Sequence, residues 1–167
     1  MIKNSTNFEE YSQDEIKQLA VEILLKIENP QNGIGKELFD VILKVVPQVA
    51  VEAIVVDDIK NPKKVLFIER DDEYYKGWHF TGGFMKFGET IQDRLVRVVE
   101  KELGTSIKNV FHTGKFNELF DKRGHSIALL FLVEINGQPK VGKWFGHIPK
   151  EILPHHKKIL QEALGWG

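Results

Sequence analysis

The sequence predicts a mixed α/β (α+β) fold, and three stretches carry that expectation. Residues 49–56, VAVEAIVV, form the nearly unbroken β-branched run of a buried strand. Residues 126–135 form a second strong apolar strand. Between them, residues 91–103 repeat their apolar side chains at helical spacing between a capping signal and a glycine stop. A length of 167 residues, with 42% hydrophobic and 28% charged side chains, suits one domain with a sizeable core.

In chain order, Ser12 with Glu15 reads as a capping box. Ile16, Leu19, Ala20, Ile23, Leu24 and Ile27 then recur at helical spacing until Asn29 and Pro30 stop them. Gly33 and Gly35 mark a loop, and Leu38, Val41, Ile42 and Val45 mark a shorter helix ended by Pro47. Nothing in either helix carries chemistry. Residues 1–47 therefore read as a two-helix N-terminal extension for packing or for a homodimer, and residues 48–167 as the main domain.

The strand at 49–56 holds Glu52 as its one interior acid. A turn at 57–63 with Asn61 and Pro62 leads into a strand at 65–69. Arg70 closes that strand, at the edge of a loop running through Trp78 to Gly82 and Gly83. These glycines permit a backbone excursion and a close approach of main chain to a ligand.

Thr90 and Asp93 cap the helix at 91–103, and Gly104 ends it. Ile91, Leu95, Val98, Val99 and Leu103 gather on one side, while Asp93, Arg97 and Glu100 fall away from it. Glu102 is the exception, four residues after Val98 and therefore within the apolar stripe. It also lies in the last turn, where the helix dipole opposes a negative charge by ~0.3 to 1 kcal/mol. A carboxylate so placed calls for a cation, and a metal ion and Arg97 are the candidates. The plainer reading is a rim glutamate whose head reaches water.

Beyond the helix come a strand at 109–115, a loop at 117–124 and the strand at 126–135, followed by Asn136–Gly137 as a hairpin turn. Trp144 and Phe145 end the sheet. Pro149 opens a last helical region, broken by Pro154 and continued to Leu164.

The net charge of -1, with scattered lysines, gives no electrostatic footprint for nucleic acid. The absence of cysteine excludes disulfides, thiol catalysis and cysteine-held zinc. The first residues are polar and acidic, without the apolar core of a secretion signal, and no apolar run reaches membrane-spanning length. The expectation is a cytoplasmic protein with no nucleic-acid or membrane partner.

Gly83, Glu89, Arg97, Glu102 and Gly104 stand at the spacing of the Nudix box, and the chain resembles that family. The resemblance implies a Nudix α/β/α sandwich, with a mixed sheet between the box helix and a C-terminal helix. It also implies hydrolysis, dependent on Mg²⁺ (or Mn²⁺), of a nucleoside diphosphate linked to another group, a small-molecule substrate. The family has three glutamates for metal on this helix, and two of those positions are Val98 and Lys101 here, leaving Glu102. Glu100 cannot stand in, because it lies roughly 160° around the helix from Glu102.

One carboxylate suits a single Mg²⁺ and a reaction in which the diphosphate leaves and a sugar carbon is attacked. The reduced box resembles the GDP-mannose mannosyl hydrolase branch, and VAVEAIVV with its acid and Arg70 before Trp78 extend the likeness. Carried over, the resemblance implies Mg²⁺ held by the Gly82 carbonyl, Glu102 and Gln138. Glu52 and Arg70, with Trp78, would contact the nucleoside diphosphate, and Arg97 would orient the carboxylate or steady phosphate. Gln138 next to Asn136–Gly137 also reads as the end of a turn.

Two positions depart from that branch: Pro139 follows Gln138 where a histidine base is expected, and Phe84 stands where an arginine is expected. The base stays open among His125, Glu118, Asp121 and His147, while His155 and His156 read as an exposed helix face. Three functions follow: a nucleotide-sugar hydrolase of the GDP-mannose kind, a pyrophosphohydrolase using Glu102, Glu89 and a loop acid, or a nucleotide binder without chemistry.

Overall fold

The β-branched run becomes β1 (Gln48–Val56), the axis of the fold in a computed structural model that describes residues 8–166. β1 runs parallel to β6 (Gly124–Ile135) and antiparallel to two further strands at its two ends. β4 (Thr81–Phe84) pairs with Ala50–Ala53, whereas β2 (Val65–Asp71) pairs with Val55 and Val56. The sheet therefore forks along β1. Its order is β3-β2-β1-β6-β5, with β3 (Lys76–His79), β5 (Ile107–Asp121), and β7 (Lys143–Phe145) on β2.

Alternation along β1 sends Val51, Ala53 and Val55 to one face, where they pack on Leu95, Val98, Val99 and Leu103 of α3 (Ile91–Leu103). Ile54 and Val56 point the other way, onto Ile159 and Leu160 of α4 (Pro154–Leu164). Burial on both faces is why β1 lacks polar alternation. Each fully buried aliphatic side chain contributes about 1.5–3 kcal/mol. The expected helix–sheet–helix sandwich with a mixed sheet is present.

α3 has the predicted bounds: Thr90 accepts the Asp93 N–H at 3.1 Å, and Gly104 takes the left-handed φ of 64° that ends the helix. Ile91, assigned to the apolar stripe, is exposed, since the stripe meets the sheet only from Leu95 onward. α1 (Gln13–Leu24) carries the predicted Ser12–Glu15 capping box but stops short of Ile27 and buries no residue. α2 (Lys36–Val45) is seated by Leu43, which is 1% exposed. A Cβ at Gly124 would fall 2.3 Å from the Leu43 carbonyl, so this close seat requires glycine.

Several local expectations change. The predicted loop at 117–124 is strand up to Asp121, because its polar residues pair along the strongly apolar β6. Asn136–Gly137 forms a turn with Gly137 at φ 64°, but no hairpin, since β7 pairs with β2 instead of β6. Pro154 opens α4, where its missing N–H costs nothing, and does not interrupt a helix begun at Pro149. Trp78 lies in β3, and Gly82 and Gly83 lie in β4 without left-handed φ, so this segment is strand where a loop with a backbone excursion was expected. Among the described residues no helix is long and apolar enough to cross a membrane. Residues 1–7, part of the polar opening stretch, lie outside the described residues.

Candidate active site

The fork beside β1 opens into a cavity of about 1320 Å³, lined among others by Glu52, Arg70, Trp78, Gly82 and Glu102. Gly82 is its hub. It stands opposite Glu52 in the β1–β4 register, and just past the end of β4, three positions on from Gly82, the Met85 N–H donates to the Val49 carbonyl. Ladder bonds alternate along antiparallel strands, so Gly82 belongs to a pair without mutual hydrogen bonds, and its N–H and carbonyl turn away from β1. Its N–H donates to Glu102 Oε2 at 3.3 Å. A Cβ here would lie 2.8 Å from the Val51 carbonyl oxygen and 3.1 Å from Glu52 Cγ. Glycine thus lets two acids from different elements meet around one peptide.

Glu102 has its apolar-stripe position and a partly covered side chain. Burial pushes its carboxyl above the ordinary glutamate range, and the Gly82 N–H with Arg94, Lys101 and Arg70 only partly offsets this. Arg97, expected to be a partner for Glu102, instead lies 3.3 Å from Glu89 Oε1. Glu89 also accepts the Lys86 N–H at 3.0 Å, which ties down the loop before α3, and its side chain is only 4% exposed. Neither Glu89 nor Arg97 is part of the cavity wall, whereas Arg94 is. Arg94 Nε is buried without a hydrogen-bond partner, 4.0 Å from Glu89 Oε2. Sequence reasoning placed no role on Arg94, although it lies three residues before Arg97 on the side facing Gly83, where a Cβ would fall 2.2 Å from its Nη2.

Glu52 is held quite differently. His156, 3% exposed, accepts the Phe80 N–H on Nδ1 at 3.2 Å, which leaves Nε2 to carry the ring proton and to donate to Glu52 Oε1 at 3.3 Å. Burial works against the Glu52 carboxylate, and the imidazoles of His156, His155 and His79 outweigh it, leaving the carboxyl below the ordinary range. Glu52 Oε2 is buried with no hydrogen-bond partner.

His155 and His156, read from the sequence as an exposed face, therefore belong to the site. The reason is the segment before α4. The Trp78 N–H donates to the Glu151 carbonyl at 2.8 Å and the Leu153 N–H to the Trp78 carbonyl at 3.0 Å, which pins the helix start to β3. Gly77, at φ 137°, makes room, since a Cβ would lie 2.2 Å from the Glu151 oxygen. The signal available in the sequence was Pro154, which as a first helical residue puts the two histidines in the first turn. His79 and His155 also line the cavity; burial first, then the neighbouring His156, lowers each to about 4.

Arg70 donates to Asp72 at 2.6 Å and lies 4.7 Å from the Tyr75 ring centroid, so its guanidinium is aimed along the wall. The Tyr75 hydroxyl donates to Asp121 at 2.5 Å. Of the base candidates, only Asp121 lines the cavity, and it is engaged by Tyr75 and the Arg123 N–H. His125 lies 2.9 Å from Glu118 outside the cavity, and His147 is exposed. Gln138 is exposed at the turn after β6 and is not part of the cavity wall.

A hard divalent cation takes oxygen ligands. The acid of Glu102, raised by burial with too little compensating charge, and the Gly82 carbonyl freed from the ladder fit such an ion; Glu52 Oε2, buried without a hydrogen-bond partner, belongs to a residue lining the same cavity. Among the described residues no group of three or more His, Cys, Asp or Glu side chains is arranged to hold a metal, which sets this donor set apart from a cage of three carboxylates.

The NUDIX domain family matches residues 46–157. An ADP-ribose pyrophosphatase of Methanocaldococcus jannaschii is 31% identical over 131 residues, covering 72% of this chain and 75% of that protein. The structure of a MutT NUDIX hydrolase from Burkholderia pseudomallei superposes with a TM-score of 0.62 at 23% identity, covering 71% of this chain and 98% of that one. A chain from Jonesia denitrificans, described as a possible asymmetric diadenosine tetraphosphate hydrolase, gives 0.63 at 21% identity, covering 73% and 95%. These two likenesses speak for the fold alone, whereas the domain match extends over two thirds of the sequence and contains the acids gathered around Gly82. The chain belongs to the Nudix family, and it is a Nudix hydrolase.

Proposed function

We propose that this protein hydrolyses nucleoside diphosphate sugars, with Mg²⁺ or Mn²⁺ as cofactor and GDP-mannose and ADP-ribose as the first substrates to try. The observation that carries this reading is the convergence of Glu52 and Glu102 on Gly82, with Arg70 on the same wall. Glu102 and the Gly82 carbonyl would hold the ion, which would neutralise the diphosphate. Arg70, kept rigid by Asp72 and Tyr75, would bind the phosphates, and Trp78 would close the wall behind the substrate. Glu52 Oε2 would accept from a sugar hydroxyl.

His155 takes the role left open by Pro139, that of accepting a proton from the attacking water. Its ring lines the cavity and holds a free lone pair at neutral pH. A diphosphate bound beside it would raise its affinity for a proton toward the working range. With Glu89 engaged by Arg97 and the Lys86 N–H, the acids lining the cavity near Gly82 are few, which favours departure of an intact diphosphate and attack at the sugar carbon.

The relative named as an ADP-ribose pyrophosphatase favours a second reading, attack at phosphorus with release of a nucleoside monophosphate. Hydrolysis in ¹⁸O-labelled water separates the two. Label in the sugar supports attack at carbon; label in a phosphate product rejects it in favour of the pyrophosphohydrolase. Absence of turnover over a panel of nucleoside diphosphate sugars with either metal rejects both.

A further inference from the structure

Residues 30–43 precede the stretch that matches the Nudix domain, yet Ile34, Lys36, Phe39 and Leu43 form one wall of the same cavity. The helix read from sequence as carrying no chemistry thus faces the site. Its seat is Leu43, buried against Gly124, with the Tyr74 hydroxyl donating to Asp40 at 3.4 Å and Lys36 reaching Glu73 at 2.5 Å on the surface. This leaves the Phe39 ring against Phe84 of β4, with centroids 4.9 Å apart and planes at 57°.

The placement along the sheet is what gives this corner a meaning. Phe84 lies two residues from Gly82 on one strand, hence about 7 Å along the same face. Opposite it, Ala50 and Gln48 continue from Glu52 down the cavity wall, and Ser126 pairs with Gln48 in the register. The cavity therefore runs from the acids, past a span suited to one ribose, to an aromatic corner with an amide and a hydroxyl at its end. Arg123 closes that end. Its guanidinium lies 5.1 Å from the Phe84 centroid and 5.3 Å from the Tyr74 centroid, and its Nε is buried without a hydrogen-bond partner.

We infer that Phe39 of the N-terminal extension, with Phe84 and Arg123, forms the subsite for the nucleobase, so that the extension determines which nucleotides are accepted. The inference rests on the nucleotide-hydrolase reading above. A planar base stacks on the Phe39 face, with Phe84 meeting it at an angle, as aromatic pairs prefer. The unpartnered Arg123 Nε–H donates to an acceptor on the base edge. Phe84, the departure from the arginine expected after the paired glycines, is accounted for by this corner.

The test uses the full chain with Mg²⁺, and titration calorimetry with ADP, GDP, UDP and CDP, with ribose 5-phosphate and inorganic pyrophosphate as controls. Phe39→Ala should weaken the preferred nucleoside diphosphate about ten-fold or more, the loss a stacked base gives. It should leave the two controls unchanged, and Phe39→Trp should restore binding while Phe39→Leu does not. Equal nucleoside diphosphate affinity in Phe39→Ala and the parent overturns the inference, as does an equal loss for ribose 5-phosphate, which would make the corner a sugar site. If the parent binds pyrophosphate and no nucleoside diphosphate more tightly, there is no base subsite. A parent that binds nucleotides normally but turns none over defeats the hydrolytic reading alone.

Discussion

The two walls that meet at Gly82 hold their acids by opposite means. The α3 wall presents Glu102 with one peptide N–H and no cation in contact, so burial wins and its carboxyl is raised. The α4 wall presents Glu52 to a buried imidazole that is itself anchored to the Phe80 N–H, so the carboxyl is lowered in spite of deeper burial. Burial alone does not set the charge of an acid; the nearest donor does. The α3 acid has no ion-pair partner among the described residues, whereas the α4 acid has one oxygen held by His156 and the other, Oε2, buried without a hydrogen-bond partner.

Glu102→Gln breaks the comparison most severely. On the proposed metal-binding role it removes the charge of the ion's carboxylate ligand, and turnover should fall at least about 100-fold. Stability should not fall with it, because a carboxylate that burial disfavours is replaced by a neutral group of the same shape. Thermal melting alongside kinetics checks both; a large loss of melting temperature would show that Glu102 supports the fold instead.

His156→Ala attacks the other wall, and its first effect is on the fold. It leaves the Phe80 N–H and the Glu52 carboxylate without their partner and opens a void, a cost of about 2–4 kcal/mol. Denaturant unfolding measures it. His156→Gln, which can still reach one of the two partners, should recover part of that cost. A loss below about 0.5 kcal/mol for the alanine variant would show that the imidazole does not hold Glu52.

The walls should also differ in their response to acid. His79 and His155, at about 4 in the fold, lie below the ordinary histidine value of 6.5. Their contribution to stability is complete above pH 6.5 and is lost as pH falls toward 4, because the unfolded chain then binds protons that the fold refuses. Glu102 has the reverse sign: its folded value is raised, so acid relieves it. Stability followed from pH 7 to 4 should therefore drop, less steeply in the double variant His79→Gln, His155→Gln, and more steeply in Glu102→Gln. An unchanged slope in both would show that neither wall titrates within this window.

The same contrast explains what could be read in advance. α3, its cap, its stop and the odd position of Glu102 are local patterns, all within residues 90–104, and the structure keeps them. The fork along β1 and the meeting of Glu52 with Gly82 depend on strand register, which no local spacing encodes. His156 was hidden for a similar reason. Its partners Phe80 and Glu52 lie 76 and 104 residues away, and only the seating of residues 151–153 on β3 brings them together. Polar residues at 117–121 looked like loop because the apolar partner that makes them strand is β6, across the hairpin.

Gln138 gives the smallest expected effect and sharpens the point about register. The likeness to the mannosyl hydrolase branch puts a metal ligand at this position, but here the residue follows a turn at the end of β6, exposed and away from the cavity wall. The turn is held by its neighbour: the Asn136 N–H donates to the Ser106 carbonyl at 2.9 Å, and its side-chain amide donates to Ser106 Oγ at 2.9 Å. Those bonds point the segment toward the end of α3 at Gly104, where Lys140 packs, and leave Gln138 outside. Gln138→Ala should accordingly change stability by no more than about 0.5 kcal/mol, as an exposed substitution does. Its dependence of rate on Mg²⁺ concentration should overlay that of the parent. A shift of that curve to higher Mg²⁺ would mean that the turn swings in when the ion binds, and that the metal site draws on three elements of the fold.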